Sequence, residues 1–158
     1  MNITPQEAHH VSVLAGQGET AKLAIHVKHL AQRERASTAD VIIACKDDFQ
    51  QTAAHIAAKS GQRVSIEKLA ELLEIDDKRT VYFNMANRFS GDRPVHTAMR
   101  HGYLHVFQTL VRHGADPTVE NRFGDSVMDY PGDFDQAEVQ RVIDEFKAGR
   151  SGGGGGGP

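Results

Sequence analysis

A repeat of 33 residues restricts the possible folds of this chain more than any other feature. The clearest copy begins at Gly91 and includes Pro94 and His96, and the next copy begins at Gly124, which is 124 − 91 = 33 residues later. Upstream, the segment Thr52–Gly61 looks like the central part of the same copy. A unit of this length cannot bury its apolar face alone, so neighbouring units have to stack into a continuous core.

The residue types within each copy are typical of two short antiparallel helices. The hydroxyl of Thr52 can cap a first helix, and Pro94 fits the first helical position of the next copy because its missing N–H costs nothing there. Gly61 and Gly102 stand where the chain must turn sharply between the helices. Apolar residues at helical spacing then give the second helix a buried stripe: Leu104, Phe107, Leu110 and Val111.

These motifs resemble the ankyrin-repeat family. The family signature T-P-L-H-x-A-A-x-x-G corresponds to Thr52–Gly61 and Arg93–Gly102, although Arg93 replaces Thr and removes one expected helix cap. The family's G-A-D corresponds to Gly114-Ala115-Asp116 and, more loosely, to Ala39-Asp40-Val41. The resemblance covers residues from about 37 to 130. It implies an all-α solenoid of about four stacked helix-turn-helix units with hairpin-like fingers.

The two ends and one insertion depart from the regular pattern. Thr4-Pro5-Gln6-Glu7 predicts a helix start, Pro131-Gly132 should end a short helix, and Asp135-Gln136-Ala137-Glu138 should begin a sealing helix. His55 and His96 are 96 − 55 = 41 residues apart, which predicts an enlarged finger at 76–87. We expect one domain, 1–148, followed by a flexible Gly-rich tail or linker, 149–158. Its repeats should lie at 4–36, 37–75, 88–120 and 121–148.

Composition and charge argue against several classes of protein. The formal net charge is −3, with 18 basic and 21 acidic residues, so the basic excess of a nucleic-acid binder is lacking. No apolar run reaches the ~20 residues of a membrane span, and the N-terminus lacks a signal-peptide pattern. A single cysteine, Cys45, fits a reducing compartment. We expect the cytoplasm, with the nucleus or a cytoskeletal association as alternatives.

Nine histidines and one cysteine raise the questions of a metal site and of catalysis. The resemblance implies that His55 and His96 belong to a buried hydrogen-bond network between repeats. His9 with His10 and His26 with His29 lack Cys or carboxylate partners at ligand spacing. His101 and His105 are four residues apart, but Gly102 places the predicted turn between them, so we expect them not to share a helical face. Cys45 lies in an apolar run, which favours an inert buried thiol over a nucleophile paired with His55. We therefore expect no catalytic residue, no metal and no cofactor.

The resemblance implies that a protein partner contacts the fingertips and the concave face formed by the first helices. The fingertip candidates are Asp48, Phe49, Phe89, Ser90, Asp92, Arg122, Phe123 and Asp125. The inner-helix candidates are Lys59, Arg100 and His101, and the enlarged finger adds Tyr82 and Phe83. Aromatic and Arg side chains are enriched in binding hot spots. The alternative is that each Phe packs against its neighbouring finger.

The resulting functional prediction is a non-catalytic protein-interaction module that acts as an adaptor or scaffold. A rigid preformed surface loses little conformational entropy when it binds. Alternative hypotheses are an accessory or targeting domain of a larger enzyme, and a structural subunit of a cytoskeletal or organellar assembly. Neither nucleic acid nor insertion into a membrane is expected.

Overall fold

The computed structural model describes residues 1–130, 132 and 134–154, and it shows an all-α solenoid, as the sequence predicts. Over these residues the only β-type pairing is an isolated antiparallel bridge between Lys46 and Thr52. The helices are α1 (Pro5–Gln17), α2 (Thr20–Glu34), α3 (Thr38–Ala44), α4 (Ala53–Lys59), α5 (Arg63–Leu73), α6 (Asp76–Phe83), α7 (Pro94–Arg100), α8 (Leu104–Arg112), a 3₁₀ turn (Val127–Asp129) and α9 (Gln136–Gly154).

The helices form an inner and an outer row. Helix α4 packs between α1 and α7 in the inner row, and α5 packs between α2 and α8 in the outer row. The inner helices approach closely because α4 is rich in alanine: Ala53, Ala54, Ala57 and Ala58 are all fully buried. Leucine, isoleucine and valine from both rows fill the core between them, including Leu23, Ile66, Leu69 and Leu110. Burial of these side chains is the main driving force for stacking.

The N-terminal repeat begins with the predicted capping box. The Thr4 hydroxyl accepts a hydrogen bond from the backbone N–H of Glu7 at 3.1 Å, and the Glu7 carboxylate accepts one from the backbone N–H of Thr4 at 3.0 Å. These bonds satisfy backbone donors that have no partner inside the helix. The side chain of Glu7 also pairs with Arg33 near the end of α2 at 2.5 Å, which joins the two helices of this repeat.

The weaker of the two G-A-D matches does not mark a turn, because it falls within helix α3. Ala39-Asp40-Val41 lies inside this helix rather than in a turn before a finger. The Ser37 side chain caps the helix by accepting the backbone N–H of Asp40 at 3.0 Å, and Val41 and Ile42 are fully buried. A local cap and apolar burial therefore outweigh a three-letter similarity.

The segment 76–87 was predicted to be an enlarged finger, but most of it forms helix α6. Asp76 and Asp77 stand in its first turn, where carboxylates interact favourably with the helix dipole. Tyr82 and Phe83 at its C-terminal end are both 0% exposed, and the Tyr82 hydroxyl accepts the backbone N–H of Ala54 at 3.2 Å. The expectation that Tyr82 and Phe83 contact a partner is wrong, because forming the helix turns both rings into the core.

The C-terminal repeat is irregular. Its first helix is reduced to the 3₁₀ turn that ends at Asp129, while Pro131, the residue expected to stop it, lies outside the described residues. Helix α9 extends through Gly154, so 149–154 is helical where the composition predicts a flexible tail. Adding residues to an existing helix needs no new nucleus, which permits this extension. The remainder of the predicted tail, 155–158, lies outside the described residues.

No described helix combines the length and the apolar character that crossing a membrane requires.

Candidate protein-interaction surface

Three fingers within the described residues project from the inner row: the first finger (46–52), the second (87–92) and the third (121–125). Each contains an Asp or Asn at or next to its first residue, and the side-chain oxygen of this residue accepts hydrogen bonds from the backbone of the same turn. Asp47 Oδ1 accepts the N–H groups of Phe49 and Gln51 at 2.8 and 3.0 Å. Asn87 Oδ1 accepts two backbone N–H groups at 2.9 and 3.1 Å, and Asn121 Oδ1 accepts two at 2.9 and 3.0 Å. These side chains fix the shape of each turn.

A phenylalanine follows two residues after each of these turn-forming residues. Phe49, Phe89 and Phe123 are 59%, 75% and 67% exposed. The alternative that each ring packs against the neighbouring finger does not hold, because more than half of each side chain faces solvent. The rings therefore form a row of exposed aromatic groups at the fingertips, which we call the Phe row.

Hydrogen bonds between backbones connect the fingers below the Phe row. The N–H of Arg88 donates to the carbonyl oxygen of Phe49 at 2.7 Å, and the N–H of Arg122 donates to the carbonyl oxygen of Ser90 at 2.9 Å. Gly91 has a φ of +72°, and a Cβ at this position would lie 2.9 Å from the backbone nitrogen of Arg122. Glycine therefore permits both the turn and the close approach of the third finger.

A groove of about 430 Å³ lies between the first two fingers and the inner helices α4 and α7, and we call it the concave groove. Predicted contact residues from both fingers and both helices line it: Phe49, Lys59, Phe89, Ser90, Asp92, Arg100 and His101. Gln51 of the first finger also lines it, as do four residues that were not predicted to contact a partner: His55, Ile56, Asn87 and Thr97. His55 and Ile56 precede Lys59 by four and three residues, and Thr97 precedes His101 by four, so they lie on the same side of α4 and α7 as those residues. This spacing is visible in the sequence.

The other predicted contact residues lie beside the concave groove. A groove of about 400 Å³ between α1 and the first finger includes Asp48 and shares Gln51 and Ile56 with the concave groove. Arg122, Phe123 and Asp125 lie on the third finger and do not line the concave groove. The predicted residues are thus divided among the two grooves and the third finger, whereas Tyr82 and Phe83 are buried in the core.

Asp92 and Arg100 form a polar cluster under the concave groove. Asp92 is 4% exposed, and its Oδ2 accepts a hydrogen bond from Arg100 at 2.8 Å while its Oδ1 accepts one from Asn121 at 2.9 Å. Arg100 also donates to the Tyr130 hydroxyl at 3.1 Å, with its guanidinium carbon 5.2 Å from the ring centroid. Both oxygens of Asp92 are therefore engaged within the protein. Asp92, predicted as a fingertip contact residue, lies in the groove lining but is almost fully buried, with its carboxylate bound to Arg100 and Asn121.

The histidines His55 and His96 link successive repeats, as the resemblance to the ankyrin-repeat family implied. His55 Nδ1 accepts the backbone N–H of Thr52 at 3.1 Å, and Nε2 donates to the carbonyl oxygen of Asp92 at 2.8 Å. His96 accepts a backbone N–H three residues earlier and donates to the carbonyl oxygen of Val119 at 3.0 Å. Burial lowers the pKa of His55 to about 4 and lowers the pKa of His96. Both rings are therefore neutral near pH 7 and carry their proton on Nε2.

The described residues offer little for metal binding or nucleophilic chemistry. Cys45 is fully buried, and burial raises the pKa of its thiol to about 11, so it is not a thiolate near pH 7. In the described part of the chain, no group of three or more His, Cys, Asp or Glu residues is arranged as a metal-ligand set.

Comparison with known sequences identifies the repeats. A family model described as "Ankyrin repeats (3 copies)" matches residues 9–121. The "Ankyrin repeat and LEM domain-containing protein 2 homolog" of Caenorhabditis elegans is 32% identical over 128 residues, covering 66% of this chain and 21% of that protein. Synphilin-1 of Mus musculus is 34% identical over 83 residues, covering 52% of this chain and 8% of that protein. The chain spans only a small part of either relative.

A solved structure shows the same fold at low sequence identity. A chain in the crystal structure of the yeast ribosomal protein Rps3 in complex with its chaperone Yar1 matches this one with a TM-score of 0.67 and 20% identity. The match covers 93% of this chain and 92% of that chain. At this identity the likeness extends to the fold alone.

Proposed function

This chain belongs to the ankyrin-repeat family, and from that premise we propose that it is a non-catalytic module that binds a partner protein through the concave groove and the Phe row. The observation that carries this proposal is the groove itself, about 430 Å³ in volume, with Phe49 and Phe89 exposed at its rim. Exposed aromatic side chains grouped on one surface mark protein-interaction sites more often than scattered apolar residues do.

The construction of the fingers supports this proposal. Hydrogen bonds from Asp47 and Asn87 to their own turns hold the tips in one shape before any partner arrives. Bonds between neighbouring fingers add to this order. A surface that is already ordered loses less conformational entropy on binding, so a few aromatic contacts suffice for useful affinity.

The adaptor or scaffold role is the finer part of the proposal. The yeast structure contains a ribosomal protein together with its chaperone, which is a protein–protein complex, but a shared fold does not identify a shared partner. We further propose that residues 1–148 act as one repeat domain in the cytoplasm, because the single cysteine suits a reducing compartment.

A second candidate function is an accessory or targeting domain within a longer protein. The supporting observation is that the chain covers 21% of one relative and 8% of the other. In this case the concave groove would hold the longer protein's target, and the surface chemistry would be unchanged.

Site-specific photo-crosslinking in the native cells tests the proposed function. A photoreactive amino acid at position 89 should give a defined protein adduct, and positions 49 and 123 should give the same adduct. Position 81 is the control, because Val81 is exposed on α6, away from the fingers. An adduct at position 81 with none at 49, 89 or 123 would place the binding surface elsewhere.

A further inference from the structure

The charged side chains that line the concave groove leave a cation, and no carboxylate oxygen, open to a ligand. Asp92 is the only carboxylate among the described residues that line it, and both of its oxygens already accept bonds from Arg100 and Asn121. Lys59 lines the same groove, is exposed, and makes no ion pair with any described residue. The groove therefore offers an ammonium group to a ligand without a competing carboxylate oxygen.

Arg100 adds to this donor surface. A guanidinium has five N–H donors, and in Arg100 the Nη2 group donates to both the Asp92 carboxylate and the Tyr130 hydroxyl. Its position is thus fixed by the protein, and its side chain keeps 43% of its surface exposed toward the groove region. His101 lies next to it and donates through Nδ1 to the carbonyl oxygen of Thr97 at 3.0 Å, which directs Nε2 away from the helix backbone.

The local charge of the concave groove is opposite to that of the whole chain. The chain has 18 basic and 21 acidic residues, whereas Lys59 and Arg100 outnumber Asp92 in the described lining. The rims carry charges of both signs, because Arg88 precedes Phe89 on one finger and Asp47 and Asp48 precede Phe49 on the other. Asp47 and Asp48 line the neighbouring groove beside α1 and not the concave groove, so the excess of cations is that of the lining itself.

Apolar and cationic side chains both line the groove. Phe49 and Phe89 stand on the two fingers that form its rim, and the side chain of Ile56 lines the floor between them. Such a surface matches a segment that carries both apolar side chains and carboxylates. A basic segment would be repelled, and a neutral one would cover Lys59 without giving it a partner, which costs affinity.

We infer that the concave groove binds an extended acidic segment of the partner protein. Apolar side chains of that segment pack between Phe49 and Phe89, and one of its carboxylates pairs with Lys59. This inference rests on the proposed function, since it names the chemistry of the partner at the same site.

Selection from a phage-displayed library of short randomised peptides tests the inference with the full chain as bait. Peptides bound by the wild type should be enriched in Asp and Glu together with Phe and Leu. The Lys59→Glu variant should bind the selected peptides about tenfold more weakly, because it replaces an ion pair by a repulsion. Lys59→Arg should retain them. Lys22→Glu on helix α2 is the matched control and should leave binding unchanged.

The outcomes separate the inference from the proposed function. The inference is overturned if selected peptides depend on the Phe row but carry no acidic enrichment, or if Lys59→Glu binds them as well as Lys22→Glu does. Either of these two outcomes leaves the proposed function unchanged. If the Phe49→Ser/Phe89→Ser/Phe123→Ser variant selects the same peptides as the wild type, both the inference and the proposed function are overturned. Circular dichroism of each variant verifies that it is folded.

Discussion

The Phe row and helix α6 carry the same kinds of residues and use them in opposite ways. Phe49, Phe89 and Phe123 are mostly exposed, whereas Tyr82 and Phe83 are 0% exposed. The difference lies in the backbone that presents them. A turn fixed by an Asp or Asn side chain projects its ring outward, and a helix with acidic residues in its first turn, packed on the core, buries its rings. An aromatic residue in a loop-like stretch is therefore a contact candidate only if the stretch stays a loop.

The largest expected effect is on the free energy of unfolding, when one of the buried rings of helix α6 is removed. Phe83→Ala should lower the free energy of unfolding by about 3–5 kcal/mol, because it removes a fully buried ring and leaves a cavity. Phe89→Ala should change it by no more than about 0.5 kcal/mol. Chemical denaturation of both variants measures the contrast. If Phe83→Ala does not fold, the milder Phe83→Leu provides the value, and equal effects at positions 83 and 89 would contradict the assignment of burial.

The second prediction concerns the affinity for the partner when the exposed rings of the Phe row are removed. The Phe49→Ser/Phe89→Ser/Phe123→Ser variant should bind the crosslinked partner more weakly by about 2 kcal/mol or more, as expected for aromatic hot spots. Its matched control carries Val64→Ser/Ile75→Ser/Val81→Ser, which removes exposed apolar side chains away from the fingers. Affinity is measured with the purified partner, and stability by thermal unfolding. Equal losses of affinity in both variants would show that apolar exposure matters and position does not.

Arg100 is unsuitable for such a test, although the sequence places it on the binding face. Replacing it by alanine would leave the Asp92 carboxylate, 4% exposed, without its charged partner. Removing one partner of a buried ion pair destabilises a protein strongly, so loss of binding could not be separated from loss of folding.

The third prediction tests the histidines that connect the fingers to the core. The folded-state pKa of His55 is about 4, below its ordinary value of 6.5, so only the unfolded chain takes up a proton between these values. The stabilisation is complete above about pH 6.5 and declines by up to about 1.4 kcal/mol per pH unit as the pH falls toward 4.

Denaturation at a series of pH values measures this slope. His55→Gln should reduce the slope, with part of the remainder coming from His96 and His113, whose pKa values burial also lowers, and the exposed His105→Gln should leave it as in the wild type. An unchanged slope in His55→Gln would mean that the buried ring does not control the acid sensitivity of the fold.

The sequence predicts features that depend on neighbours within one helical turn or one repeat. Thr4 and Glu7 cap a helix three residues apart, and the exposed Phe row follows from a recurring spacing. Tyr82 was misplaced because its hydroxyl bonds to Ala54, 28 residues away in another repeat. Contacts at such separation depend on how the repeats stack, which no local pattern displays.

The site was predictable to the same extent. The sides of the concave groove follow from repeat position, so Phe49, Lys59 and Phe89 were found. The burial of Asp92 depends on Arg100 and on Asn121, which is 29 residues away, and the amino-acid types alone do not show which of them pair. A recurring Asp or Asn two residues before each Phe was the available signal for the turn-forming residues.

The smallest expected effect concerns the turn that keeps the Phe row exposed. Asp47→Ala should destabilise the chain by only about 0.5–1 kcal/mol, because it removes exposed hydrogen bonds to the N–H groups of Phe49 and Gln51. Hydrogen exchange at these amides should accelerate, while the amide of Tyr82 keeps the wild-type rate. The Asp47→Asn variant retains the accepting oxygen and should restore slow exchange. If exchange at Phe49 stays slow in Asp47→Ala, the finger is held by its neighbours through Arg88 rather than by its own turn, and the exposure of the Phe row is then a property of the stack.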